Sequence, residues 1–239
     1  QQLKSRRKQR VRDRLPIKVL LINFPREEIY RRPLNVEITD CRVGEEPTLH
    51  DYHAIILDAE EILQEKWKPT SMSLLEFGNS IKRLESKVRE QIETGGVTFC
   101  FSAAIHEILI PYGPRPACNY EWCPVDLGVT GLSGDTFYPK SEELKYYSPL
   151  LKGLQEKAVF WSCYFSKLPE NCRVIATNRA GYPIFVEIPI GLGKLILLPR
   201  FKNRLEAVTR VVNEVLPQMI HEEELTLSLI HISEPTRPY

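Results

Sequence analysis

Long apolar runs are missing from this chain. No segment approaches the roughly 18 uninterrupted apolar residues that span a bilayer, and the N-terminal region lacks the apolar core of a signal peptide. A membrane is therefore not an expected partner, and the chain is placed in the cytoplasm. A large charge excess is missing too, the net charge being +1 over 239 residues. That balance conceals an asymmetry. Residues 1–14 (QQLKSRRKQRVRDR) hold seven Lys/Arg against Asp13, a net +6 that leaves the remaining chain at about −5. The acidic body is not a nucleic-acid-binding surface. Residues 1–15 read as a basic flexible arm, because they have neither aromatic interleaving nor a sustained apolar face. Use of that arm on phosphates stays open as an alternative. A disulfide framework is also absent, since the six cysteines (41, 100, 118, 123, 163, 172) are scattered and several lie in apolar runs. They read as reduced, mostly buried thiols. No internal repeat is visible.

What is present is the alternation of an α/β protein, with 43% apolar and 26% charged residues. IKVLLINF (17–24) lies between Pro16 and Pro25 and has the continuous apolar character of a strand buried on both faces. NVEITDCRVG and HAIILDAE (53–60) follow as further strands. Apolar residues at 74, 77, 81, 84, 88 and 92 fall on one helical face, and Gly95-Gly96 stops that helix before the strand VTFCFS. Strand, helix, strand implies a parallel sheet covered by helices. Residues 111–150 are rich in Pro, Gly and Tyr and read as a long insertion with little regular structure. AVFWSCYF, RVIATN, PIFVEIPI and GKLILLPR read as strands, the last two joined by the turn GLG. An amphipathic helix over 202–220 closes the domain, with Leu205, Val208, Val211, Val212, Val215 and Leu216 on or near one face.

The two ends stand apart. The first residue is not Met, and LSLIHISEPTRPY (227–239) resembles the translation of a transposon-end adapter from a sequencing library, read through in frame. On that reading residues 221–239 form a non-native or disordered tail. The reading frame then comes from environmental or shotgun DNA and encodes the N-terminal part of a longer prokaryotic protein.

The opening KVLLINF, the strand DYHAIILDAE, the helix ending in ETGG before VTFCFS, and the hairpin PIFVEIPIGLGKLILLPR together resemble the class I glutamine amidotransferase-like superfamily. The resemblance covers roughly 16–220 and rests on layout. It implies a flavodoxin-like, three-layer αβα domain with a mainly parallel sheet and a β-hairpin extension. In active members a Cys stands between glycines on a tight turn after the strand that follows the long helix, and a later His with a carboxylate activates it. Here Cys100 is flanked by Phe99 and Phe101. Ser102, followed by Ala103 and Ala104, suits such a turn but lacks the glycine spacing of a nucleophile elbow. Ahead of the final helix, where the His and acid belong, the chain offers Asn178, Arg179 and Glu187. His106 and Glu107 adjoin the turn, and His221 with Glu223 follows the last helix.

The resemblance thus implies a degenerate, non-catalytic module that needs no cofactor and no metal. It would bind a small ligand or a partner loop in a crevice near Asn23, Phe24, Glu60, Ser102 and Ala103, covered by Asn119 to Trp122. A homodimer is among the assemblies it allows. The alternative is an amidase or amidotransferase using Cys100 or Ser102, with His106 as its adjacent base. Three other patterns have plainer readings. Cys118 and Cys123 have a permissible zinc spacing but read as structural thiols. Asp135 with Glu143 and Lys145 imitates a nuclease triad but reads as surface charge. GLGK (191–194) lacks the Ser/Thr and the helix of a phosphate loop and reads as a hairpin turn. Asp58, Glu60 and Glu61 end a strand at the sheet edge where open α/β sheets bind ligands.

Overall fold

A computed structural model describes residues 16–24, 35–140, 145–155 and 159–221. The basic arm, Ser141, Glu143 and the suspected adapter lie outside the described residues.

The N-terminal half sets out the parallel strands. β1 (Ile17–Ile22), β2 (Val36–Cys41) and β3 (Ala54–Asp58) precede α1 (Leu74–Glu93), which leads into β4 (Val97–Phe101). Local chemistry fixes both ends of α1. The Ser73 side chain accepts from Glu76 N, and the Glu76 carboxylate accepts from Ser73 N at 3.1 Å, a reciprocal capping box. At the other end Gly95 adopts φ +105°, with Gly95 N bonded to Ile92 O and Gly96 N to Gln91 O. That left-handed stop satisfies carbonyls the helix would otherwise orphan. Phe77, Ile81, Leu84, Val88 and Ile92 are all fully buried, as their spacing predicts. Each contributes roughly 1.5–3 kcal/mol by leaving water.

The small residues after β4 do not open a helix. The chain forms a two-stranded ribbon instead, β5 (Glu107–Ile108) against β6 (Ala117–Cys118). Ile105, Ile108 and Ile110 are β-branched, and Pro111 would end a helix early.

The segment 111–150 is also more regular than its composition predicts. Besides β6 it holds β7 (Gly128–Gly134), β8 (Tyr138–Pro139) and most of the first turn of α2 (Ser148–Gln155). β7 pairs antiparallel with β9 (Val159–Lys167). Its glycines read as a turn, yet they are what the pairing needs. A Cβ on Gly134 would lie 2.2 Å from the Trp161 ring, and one on Gly128 would lie 2.6 Å from Ser166 Oγ.

β10 (Arg173–Thr177), β11 (Pro183–Ile190), β12 (Gly193–Leu198) and β13 (Arg200–Phe201) follow, then α3 (Arg204–Arg210). Among the described residues the main sheet has eight strands in the order β2-β1-β3-β4-β12-β11-β10-β8. From β2 to β12 neighbours run parallel, and from β12 to β8 antiparallel. The chain is therefore an α/β protein with a large, mixed, mostly parallel sheet. The β11–β12 hairpin was expected as an extension. It lies inside the sheet, because β12 pairs with β4 along its length, from Lys194↔Val97 to Leu198↔Phe101.

Alternate side chains of the strands enter two separate cores. Phe77, Ile81 and Leu84 of α1 meet Leu20, Ile55, Cys100 and Leu197 in one. Tyr147 and Leu150, with Val208, Val211 and Val212, meet Val19, Ile56, Phe99 and Ile196 in the other. After α3 the helix widens into a π turn over Val211–Val215 before continuing past Pro217, whose missing N–H and ring cannot fit a regular helical turn. Leu205, expected on the buried face, is exposed. Among the described residues no helix is long and apolar enough to cross a membrane.

Candidate functional site

The parallel strands end at one edge, and there the residues singled out in the sequence converge. Asn23 directly follows β1 in the left-handed region at φ 53° and is fully buried. Asparagine tolerates this conformation because its short polar side chain can bond locally. Its Nδ2 donates to Ile62 O at 3.1 Å, and its Oδ1 accepts from Val43 N at 3.0 Å. One side chain thus staples the chain after β1 to the segments after β2 and β3. Phe24 is buried beside it, its ring 6.3 Å from that of Phe101.

A charge cluster stands next to them. Asp58, at the end of β3, is fully buried, and its Oδ2 lies 3.3 Å from Arg200 Nη2 and 3.0 Å from Arg204 Nη1. Glu60 pairs with Arg200. Glu61 meets Arg204 at 3.2 Å and Lys66 at 2.7 Å, and it accepts from Trp67 Nε1 at 3.0 Å. The Arg204 guanidinium also lies over the Phe24 ring, 5.4 Å from its centroid. Burial raises the Asp58 carboxyl above its usual value, outweighing the pull of the two arginines. Burial pushes Glu61 upward too, but bonds from Lys66, Trp67 and Arg204 prevail and leave it lowered. Sequence reasoning found the three acids. It missed Arg200 and Arg204, whose signal was two arginines just beyond the last long strand, in PRFKNR.

Cys100 is enclosed in the sheet. It lies in β4 between Leu57 of β3 and Leu197 of β12, and none of its surface is exposed. Its thiol pKa is pushed well up, first by burial and then by Asp58. Ser102 lies one residue past the strand, its N–H bonded to Leu198 O at 2.8 Å. Its hydroxyl is buried and has no hydrogen-bond partner among the described residues. Ala103 is held at both ends, its N–H donating to the Tyr120 hydroxyl at 3.0 Å and its carbonyl accepting from it at 2.6 Å.

Asn119 and Tyr120 are tied by hydrogen bonds to the segments that leave this edge. Asn119 Nδ2 donates to Ala59 O at 2.9 Å and Ala104 O at 3.0 Å, while its Oδ1 accepts from His106 N. Trp122 is buried and donates to Asn119 O at 2.8 Å. His106 is therefore fixed through its backbone. Its imidazole pKa is lowered, chiefly by burial, with the Ala104 carbonyl acting in the opposite sense.

The remaining candidates have other settings. Glu187 is buried on β11, accepting from Tyr146 and Tyr147 hydroxyls at 2.8 and 2.9 Å and facing Lys194 at 3.3 Å. Asn178 closes a turn by accepting from Tyr182 N. Among the described residues all six cysteines are free thiols, and no group of three His, Cys, Asp or Glu side chains is placed to hold a metal ion.

No protein-family profile matches the chain, and no curated protein does. Among solved structures it is similar to an exo-β-1,4-mannosidase of Opitutaceae bacterium strain TAV5, with 12% identity, a TM-score of 0.37 and 99% of this chain covered. The chain spans 39% of that enzyme's length. It is also similar to a cytoplasmic protein of Salmonella typhimurium, with 14% identity, a TM-score of 0.41, and 82% of this chain and 97% of that one covered. A third likeness is to a β-galactosidase of Bacillus circulans sp. alkalophilus, with 11% identity and a TM-score of 0.38, covering 85% of this chain and 31% of that one.

Proposed function

We propose that this chain is a degenerate, amidotransferase-like module that binds a small ligand or a partner loop at the carboxyl edge of its sheet and carries out no chemistry there. The proposed architecture is flavodoxin-like and three-layered. Its support is the order of the five parallel strands, β2-β1-β3-β4-β12, with α1 packed in one core and α2 and α3 in the other. In that order the direction of winding reverses between β1 and β3. Open α/β sheets take ligands outside such a reversal, and Asn23, Phe24 and Glu60 stand there.

The observation that carries the non-catalytic reading is the state of Cys100. A thiol must ionise to attack, and an ordinary one needs help from its pKa of about 8.5. This thiol is shifted away from ionisation and has no exposed surface. The nearby charges are also committed to one another, Asp58, Glu60 and Glu61 facing Arg200, Arg204 and Lys66.

A Ser-dependent amidase is the second reading, favoured by the lone buried hydroxyl of Ser102. One experiment separates the two. The folded chain is exposed to iodoacetamide and to a fluorophosphonate across pH 6–9, and adducts are located by peptide mass spectrometry. The binding-module reading expects Cys100 to react only once the chain is unfolded, and Ser102, lacking an activating base, not to react in either state. Rapid, pH-dependent modification of either one in the native protein would overturn it.

A further inference from the structure

A polar cleft, sharing no residue with the edge described above, lies between α1 and the segment after β2. It has a volume of about 560 Å³ and is lined by Gly44, Glu46, Met72, Glu76, Asn79, Ser80, Arg83 and Lys87. That volume falls within the range of small-molecule sites, roughly 300–1,000 Å³. On α1, Glu76, Asn79, Ser80, Arg83 and Lys87 recur at helical spacing and form one wall, with the segment from Gly44 to Glu46 opposite.

The charges of the cleft are unequally committed. Glu46 accepts from Gly44 N at 2.6 Å and pairs with Lys87, so both of those charges are engaged. Glu76 is held by the capping box through Ser73 N. Arg83 makes one long contact, Nη2 to Ser80 Oγ at 3.5 Å, and has no carboxylate partner among the described residues. A guanidinium carries five N–H donors in a fixed fork, so most of the donors of this cleft-lining residue have no protein acceptor among the described residues. The opposite wall is kept bare. Gly44 has φ +92°, and a Cβ there would lie 3.1 Å from the Met72 methyl and 3.3 Å from Ser80 Oγ.

The geometry points to a binding site for a small carboxylate-bearing ligand, its carboxylate bidentate on Arg83 and its body over Gly44 and Met72, with the Asn79 amide beside it. Planar carboxylates match the guanidinium fork. Formal charge decides between anion classes. Glu46 and Glu76 balance Arg83 and Lys87, so the lining is neutral overall and favours a singly charged carboxylate over dianionic phosphate.

The test uses the ¹⁵N-labelled full chain at low ionic strength, titrated in turn with acetate, benzoate and inorganic phosphate while amide shifts are followed. A carboxylate site gives saturable shifts at Gly44 and Ser80 with benzoate or acetate, and R83Q weakens them at least tenfold. R179Q, which removes an exposed arginine elsewhere, leaves them intact. Arg83 is exposed, so R83Q is expected to fold, and an unchanged spectrum outside the cleft checks this. Absence of saturable shifts with both carboxylates, equal binding by R83Q, or binding of phosphate alone would each overturn the assignment. The outcome does not depend on Ser102, so this proposal and the reading of the sheet edge stand or fall separately.

Discussion

Replacing Asn23 with alanine separates a structural staple from a ligand contact. The side chain makes two buried hydrogen bonds, to Ile62 O at 3.1 Å and from Val43 N at 3.0 Å, and both partner residues are fully buried. Truncation leaves each backbone group without its partner, at about 1–3 kcal/mol apiece. Alanine at φ 53° adds about 1 kcal/mol, since it keeps a Cβ in the left-handed region without the polar side chain that lets asparagine tolerate it. The expected loss is about 3–7 kcal/mol, a large share of the roughly 5–15 kcal/mol that holds a domain together. Asn23→Gly loses the same two bonds but tolerates the backbone, so it should be equal to N23A or up to about 1 kcal/mol more stable. Urea unfolding followed by circular dichroism measures all three proteins. An asparagine whose task is to touch ligand would leave the midpoint in place. A loss below about 1 kcal/mol for N23A, or a glycine variant clearly worse than the alanine one, would refute the staple.

Gly193→Ala and Gly181→Ala form a contrasting pair. At 193 a Cβ would lie 2.0 Å from Gly96 O and 2.2 Å from Ile92 O, whereas at 181 nothing lies within 4 Å and only φ +86° opposes it. Thermal melts should show G193A losing more than about 2 kcal/mol and G181A about 1 kcal/mol. Ser73→Ala removes the cap of α1 and should cost about 1 kcal/mol by the same assay. Glu61 and Asp58 predict opposite pH behaviour. Glu61 is held below its usual 4.5, so its contribution is complete above that pH and is lost as pH falls through its lower folded value. Glu61→Gln should therefore lower the urea midpoint at pH 7, and the difference from wild type should shrink as pH falls below 4.5. Asp58 is raised above 3.8, so its contribution is full below that pH and is lost as pH rises through its folded value. Asp58→Asn should remove that decline, and a midpoint ratio to wild type that does not change with pH would contradict the assignment.

The elements legible in the sequence were those fixed by local chemistry. The buried face of α1 followed from its apolar spacing and its end from Gly95-Gly96, and the central strands followed from continuous apolar runs that only burial on both faces explains. What stayed hidden depended on partners distant in the chain. GVTGLSG has the composition of a turn and becomes β7 only because Trp161 and Ser166 of β9 fill the space its glycines vacate. Likewise GKLILL could be read as a strand, but no local signal places it parallel to β4, a neighbour nearly a hundred residues earlier. At the candidate site, Asn23, Glu60 and Ser102 were found because they end strands. The partners of Asn23 and Glu60 were not, since Val43, Ile62 and Arg200 come from other segments of the chain.

The sheet edge and the cleft beside α1 also differ in the charge they can accept. At the sheet edge every acid faces a cation, Asp58 between Arg200 and Arg204, Glu60 on Arg200, and Glu61 between Arg204 and Lys66. A charged ligand entering there must displace one of these partners and leave another buried charge uncompensated, a cost of several kcal/mol. Only an uncharged hydrogen-bonding group, aimed at the unpartnered Ser102 hydroxyl, enters without that penalty. Beside α1 the reverse holds, because Arg83 is exposed to water and short of acceptors. Ligand binding at the sheet edge should therefore be nearly insensitive to salt, whereas carboxylate binding at Arg83 should weaken steadily as ionic strength rises. Titrations at 20 and 500 mM sodium chloride compare the two. A carboxylate affinity unchanged between those salts would mean that the Arg83 charge is not what holds it.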